Sequence, residues 1–340
     1  MSNDPRPAPV SPSAADLAAK IRGCLLGGAL GDAAATAAGS PTGAGTSISA
    51  NTQLALYSLD GLLEAIEWAN EGVGADETAC LWLAYLRWMR GQGLPLPESG
   101  PSPLPRPIDS EPLLQAAADG SQSGLDADVL AALSTGEMGT RQRPVNTGVN
   151  TPAALVRSAP FGLLPYVETE TVYKLALDAA SLTHGHSSAR HSAAVFASMI
   201  HGLLASGATL RSTTEAALKH ANANGAVELA GQVQAVLNSP AGPTGTDGAG
   251  HTAEDALLTG LRAALAAEKD AQGPSEDRAA ATTAAVQQAA AAGGAPAAIV
   301  SGSLLGTRFG SLPEAGLDAL RERSVIEKLA SGFIAATIAP

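Results

Sequence analysis

Cysteine is scarce in this chain of 340 residues: Cys24 and Cys80 are the whole complement. Neither belongs to a CxxC pair and both sit in apolar helical runs, where a thiol acts as a small hydrophobe. A disulfide framework and a zinc site are thereby excluded as organising principles. Aromatic residues make up 3% of the chain and charged residues 15%. No stretch near twenty residues is continuously apolar, so no membrane span is expected. The amino-terminal stretch MSNDPRPAPVSPSAAD has no basic-plus-apolar leader pattern, and a cytoplasmic location is expected. Positive charge is also short. The formal net charge is −12 with no Lys/Arg-rich block, which argues against non-specific binding to nucleic acid or anionic lipid. Alternation with period 2 is missing throughout, so no sheet is expected.

Alanine and glycine fill the space left by these absences. Alanine is the strongest helix former, and small side chains let helices approach closely. The expected fold class is all-α, a compact single domain over 15–340 that follows a disordered Pro/Ser/Ala-rich tail over 1–14. The pattern turns helical at Asp16. Leu54, Leu56, Leu59, Leu62, Leu63 and Ile66 form an apolar stripe over Thr52–Asn70, and Asp76 and Glu77 open a helix that runs to Arg90. Trp82 and Trp88 in it are expected to be half-buried. Further helices are expected over 153–164, 168–183, 187–206, 211–237, 252–267, 275–292, 296–309 and 314–335. Segment 93–110 holds six prolines and cannot be regular. The loops at 39–49, 136–152 and 239–251 are longer than usual helix connections. Their Gly/Thr/Asn content suits backbone amides wrapped around an anion.

Three stretches together resemble the ADP-ribosylglycohydrolase family. The first is IRGCLLGGALGDA, residues 21–33, similar to the family's Gly-rich opening helix. The second is ALVRSAPFGLLP (154–165) followed by LTHGHSSARHSA (182–193), similar to its central motifs. The third is SGSLLGTRFGSLPEAG (301–316), similar to its closing helix. The resemblance spans about 20–335 and implies a compact all-α fold. It also implies cleavage of a glycosidic bond to ADP-ribose with two Mg²⁺ ions. Their ligands come from a Thr-Asp-Asp-Thr segment opening an early helix and an Asp-x-Asp-Thr segment opening a late one.

Those carboxylates are missing here. Ser49, Ala50 and Asn51 fall where the family has Thr-Asp-Asp, and Thr52 matches. Gly293 and Ala295 fall where the late aspartates belong, and 279–313 contains no Asp or Glu. Mg²⁺ is a hard cation that needs charged oxygen ligands, so no metal cofactor is expected. The resemblance carries over Gly148, Val149, Asn150 and Thr151 as a diphosphate cradle, although Pro152 removes one amide. It carries over His184 as a cleft residue and Asp32 from the Gly-Asp-Ala motif. The expected function is that of a pseudoenzyme which binds an ADP-ribose-like ligand or a protein partner. A hydrolase with a rebuilt site and a structural or assembly protein are the alternatives.

Plain structural roles stand beside these. Asp32 would cap a neighbouring helix, His184 would end one, and Arg157 would anchor a loop. His186 and His191 are expected at the surface, and Glu64, Glu67 and Glu71 on a solvated face. The helix starts at Thr52 and Pro296 are expected to flank one cleft.

Overall fold

Glycines at 23, 27 and 31 recur every four residues and so share one face of helix α1 (Ala14–Ala37). In the computed structural model, which describes residues 12–37, 46–114, 125–240, 251–271 and 275–338, that face lies directly on α11 (Ser275–Phe309). A methyl group on Gly23 would meet the Gly306 carbonyl oxygen at 2.2 Å. One on Gly27 would meet that of Gly302 at 2.2 Å, and one on Gly31 that of Ala298 at 2.2 Å. No side chain fits between the two backbones, and the absence of Cβ atoms allows this separation.

Thirteen α-helices and three short 3-10 turns make up the described residues, with no strand among them. An isolated parallel bridge joins Thr46 and Leu320. After α1 come α2 (Ala50–Asn70), α3 (Glu77–Gly91), α4 (Ala127–Ser134), α5 (Ala153–Val156), α6 (Thr169–Ser181) and α7 (Ser187–Leu203). Then follow α8 (Leu210–Ala223), α9 (Val227–Asn238), α10 (Ala253–Asp270), α11, α12 (Glu314–Ala319) and α13 (Arg323–Thr337). One main apolar cluster draws on nearly all of them. Helix α11 packs on α1 and α10, α7 packs on α6 and α8, and α2 packs on α3 and α13.

Helix α11 is two helices in sequence. Gly293 (φ −145°, ψ 16°) and Gly294 (φ 68°, ψ −164°) leave helical geometry, and Pro296 follows. Proline needs no amide donor in a first turn, so the second half starts afresh where sequence expects it. An 18-residue stretch of α11 is apolar enough to cross a bilayer by length and composition alone, contrary to the expectation, but 67% of it is buried inside the fold.

Other departures are local. The helix expected over 211–237 breaks at Gly225, whose φ of +84° ends α8. The one expected over 153–164 stops after Val156 and resumes as a 3-10 turn at Ala159–Leu163, with Pro160 in its first turn. The one expected over 314–335 divides into α12 and α13. Helix α4, capped by Asp126, was not anticipated. Trp88 is fully buried rather than half-buried, and its indole N–H donates to Gln53 Oε1 at 3.1 Å. The expected tail falls outside the described residues over 1–11, and Ala14 is already helical.

The acidic face on α2 is not simply solvated. Buried Asp60 takes Arg87 at 2.5 Å and Arg106 Nε at 3.0 Å, while Glu67 takes Arg106 Nη1 at 3.0 Å and Glu64 takes Arg87 at 3.4 Å. Arg106 lies in the proline-rich segment, so these pairs fasten an irregular stretch to α2.

Candidate ligand cleft

The end of α1 gathers the elements on which the expected site depends. Asp32 is fully buried. Its carboxylate accepts the Ser49 amide at 2.8 Å and hydroxyl at 2.8 Å, and the Thr52 hydroxyl at 2.7 Å and amide at 3.3 Å. Burial pushes its pKa up, and the donors from Thr52 and Ser49 oppose that rise. An acid at a helix N-terminus satisfies amides that have no partner within the helix. Ser49 in turn caps α2 by accepting the Asn51 amide at 3.2 Å. Asp32 therefore positions the start of α2.

Gly31, the preceding residue, abuts Ala298, which lies one turn beyond Ala295. The starts of α2 and of the second half of α11 thus flank the same end of α1. The expected metal positions carry Ser49, Ala50, Asn51, Thr52, Gly293 and Ala295; Ala50 is buried in the apolar core, and the Ser49 and Thr52 hydroxyls donate to Asp32. Among the described residues no group of three or more His, Cys, Asp or Glu is placed to hold a metal ion. The donor set offers two hydroxyls and one amide, without a single carboxylate.

The loop before α5 is the third wall. Helix α5 touches α2, α10 and α11, so the loop ahead of it lies beside the helices that carry the expected metal positions. Asn146 holds it in shape: at φ +50° its side-chain amide donates to Asp128 O (2.9 Å) and Thr183 O (3.3 Å), and its carbonyl accepts the amides of Val149 and Gly185. Asn150 bridges to α10. Its side chain donates to Glu254 at 2.8 Å, its carbonyl accepts the Ala253 amide, and its Oδ1 is buried without a partner. Among the described residues the amides of Thr147, Gly148, Asn150 and Thr151 meet no protein acceptor. A methyl group on Gly148 would meet nothing within 4 Å.

Beneath the loop runs one directed chain of hydrogen bonds. Asp126 can only accept, so the Thr151 hydroxyl donates to it (3.1 Å). Thr151 then accepts Nε2–H of His184 (2.8 Å), whose Nδ1 accepts the Thr183 hydroxyl (2.8 Å). Thr183 accepts Arg157 Nη2 (2.6 Å), while Arg157 Nε donates to Tyr85 Oη (3.1 Å) and Tyr85 donates to Ser58 (2.8 Å). The Ser58 hydroxyl ends the chain on Leu54 O (2.9 Å). Each hydroxyl and imidazole proton has one place, which fixes His184 as the neutral Nε2–H tautomer; Arg157 Nη1 is buried without a partner. Burial first, and then the charge of Arg157, lower its pKa to about 3.

His184 was expected to line the cleft. It is fully buried with both ring nitrogens taken, so it supports Thr151 from below and meets a ligand only through that residue. Asp32 is buried and spent in the same way. Thr151, Asn150, Val149 and Gly148 remain partly or fully exposed. Arg157 anchors the loop as expected, bonding also to Ala179 O at 3.3 Å. His186 and His191 are half-buried: both line a cavity of about 350 Å³ with Glu228 and Glu254, and Tyr173 meets His191 Nδ1 at 2.7 Å. Sequence reading missed Asp126, Thr183 and Glu254. Only the Asp126 cap has a local signal, an acid directly before the α4 run.

The comparisons with known proteins agree with this architecture. A family model described as ADP-ribosylglycohydrolase matches residues 13–339. A search of curated proteins gives no match. Among solved structures, one titled "ADP-ribosylglycohydrolase-related protein complex" superposes with a TM-score of 0.63 at 21% identity. It covers 95% of this chain and 100% of that one, a likeness of fold.

Proposed function

The chain belongs to the ADP-ribosylglycohydrolase family, and we propose that it holds an ADP-ribose-like ligand without cleaving it through metal ions. The observation that carries this reading is the split fate of the cleft. The loop before α5 keeps four amides that meet no protein acceptor among the described residues and a Thr151 held from below, while no carboxylate stands at the expected metal positions. Backbone amides in a loop ahead of a helix suit a diphosphate. Two hydroxyls and an amide do not suit Mg²⁺, whose hydration shell is lost only to ligands that offset its charge. Without the ions, neither Lewis-acid activation nor orientation of a water by metal is available.

No metal cofactor enters the proposal, and neither does nucleic acid or membrane. A cytoplasmic location is part of the same reading, since the ligand class is a soluble nucleotide sugar.

Calorimetric titration with ADP-ribose, with and without Mg²⁺, tests it. The expected result is saturable binding of equal affinity in both conditions, with no ADP-ribose released from modified arginine or serine. Binding that requires Mg²⁺, or metal-dependent turnover, overturns the proposal. Absence of binding favours a purely structural or protein-partnered role.

A further inference from the structure

At the other end of α1 lies a polar cavity of about 550 Å³. Asp16 and Lys20 of α1 line it together with Glu268 of α10 and Arg278, Arg308 and Phe309 of α11. Twelve residues of α1 separate Lys20 from Asp32, about 18 Å along the helix, so this cavity is separate from the ligand cleft.

Two of its three cations are committed. Lys20 Nζ donates to the carbonyls of Leu203 (3.0 Å), Leu204 (3.2 Å) and Ala205 (3.1 Å) at the end of α7, and pairs with Asp16 at 3.3 Å. Arg308 Nε pairs with Glu268 at 2.5 Å, and Glu268 also receives the Leu210 amide. Arg278 differs. Among the described residues its guanidinium has no hydrogen-bond or ion-pair partner, although its Nε is buried. Its Cζ lies 5.8 Å from the Phe309 ring centroid, as does that of Arg308. The lining carries three cations against two acids in a chain whose net charge is −12. A guanidinium presents a planar fork that matches a carboxylate or phosphate, and removing its N–H groups from water without an acceptor is unfavourable. The half-buried Phe309 ring beside it offers a flat apolar wall.

We propose that this cavity is a second binding site, for a small organic oxyanion whose charged head pairs with Arg278 and whose body rests on Phe309. The inference stands independently of the ADP-ribose reading, because it uses none of the same residues.

Calorimetry of the full chain with phenyl phosphate, benzoate and phenol decides it. At least one of the two anions binds saturably and phenol does not; which anion binds tighter tells a phosphate head from a carboxylate head. Arg278→Gln weakens that binding by at least about tenfold, or about 1.4 kcal/mol. It leaves the melting temperature of the unliganded protein nearly unchanged, since among the described residues the guanidinium loses only its contact with the Phe309 ring, 5.8 Å from Cζ. The variant also leaves ADP-ribose binding as it was, and saturating ADP-ribose leaves the anion affinity as it was. The proposal falls if neither anion binds, if phenol binds as well, or if Arg278→Gln binds with wild-type affinity.

Discussion

Lowering the pH puts the hydrogen-bond chain beneath the loop under strain at His184, by an amount the structure allows one to work out. The imidazole is buried between Thr151 and Thr183, with Arg157 one residue further along, and its pKa falls to about 3. In the unfolded chain a histidine titrates near 6.5. The folded value is depressed, so the unfolded state binds the proton first. The neutral ring therefore adds stability that is fully present above about pH 6.5 and is lost as pH falls toward about 3. Between pH 7 and pH 5 that loss is about 2 kcal/mol. His191 and His201 are shifted downward by burial as well, so the wild-type slope alone does not isolate His184. His184→Gln does. Glutamine donates to Thr151 from the same place and cannot titrate, so the variant is less stable than wild type at pH 7 and the gap narrows by about 2 kcal/mol at pH 5. Urea unfolding at several pH values measures it. Parallel wild-type and variant curves from pH 7 to pH 5 would refute both the neutral tautomer and the closed hydrogen-bond chain.

Gly302→Ala places a methyl group 2.1 Å from the Gly27 carbonyl oxygen and should cost about 3 kcal/mol by forcing α1 from α11; Gly148→Ala, which meets nothing, should stay within about 0.5 kcal/mol in the same urea titration. Asp32→Ala leaves the Ser49 and Thr52 donors buried without an acceptor and should cost about 3 kcal/mol, read as a lowered melting temperature. Restoring carboxylates as Ala50→Asp, Asn51→Asp and Ala295→Asp should create Mg²⁺ binding detectable by calorimetry. Adding Gly293→Asp should lower stability, since its Cβ would lie 2.8 Å from that of Ala297.

The fold was legible because its signals are local. Alanine content and the break between 292 and 296 each act within a turn or two of the chain. The long expected helix at 211–237 failed for a local reason too, since Gly225 stops it by its own backbone. The site was legible only in outline. The Ser49–Thr52 and Gly148–Thr151 segments are continuous stretches and could be placed. The role of His184 was not, because it depends on Asp126 and Arg157, which lie far away in sequence. The state of a buried ring follows from what surrounds it, and no spacing rule reports that.

On α11 the close packing and the positions expected to bear carboxylates fall on different residues. The residues of α11 that touch α1 include Ala298, Ile299, Gly302, Ser303 and Gly306. The positions expected to bear carboxylates, Gly293 and Ala295, lie in the break before them. On α2 the burial that holds the helix runs through Leu54, Leu56, Leu59 and Leu62, while Ala50 and Asn51 occupy its first turn. Asp32 ties the two regions together through Ser49 and Thr52, both of which remain. A carboxylate cage is costly to fold without its ions, because like charges at close range repel and lose hydration. Small neutral side chains in those first turns carry no such repulsion. Whatever binds in this cleft meets a loop held from below by the hydrogen-bond chain that runs from Asp126 through His184 to Arg157.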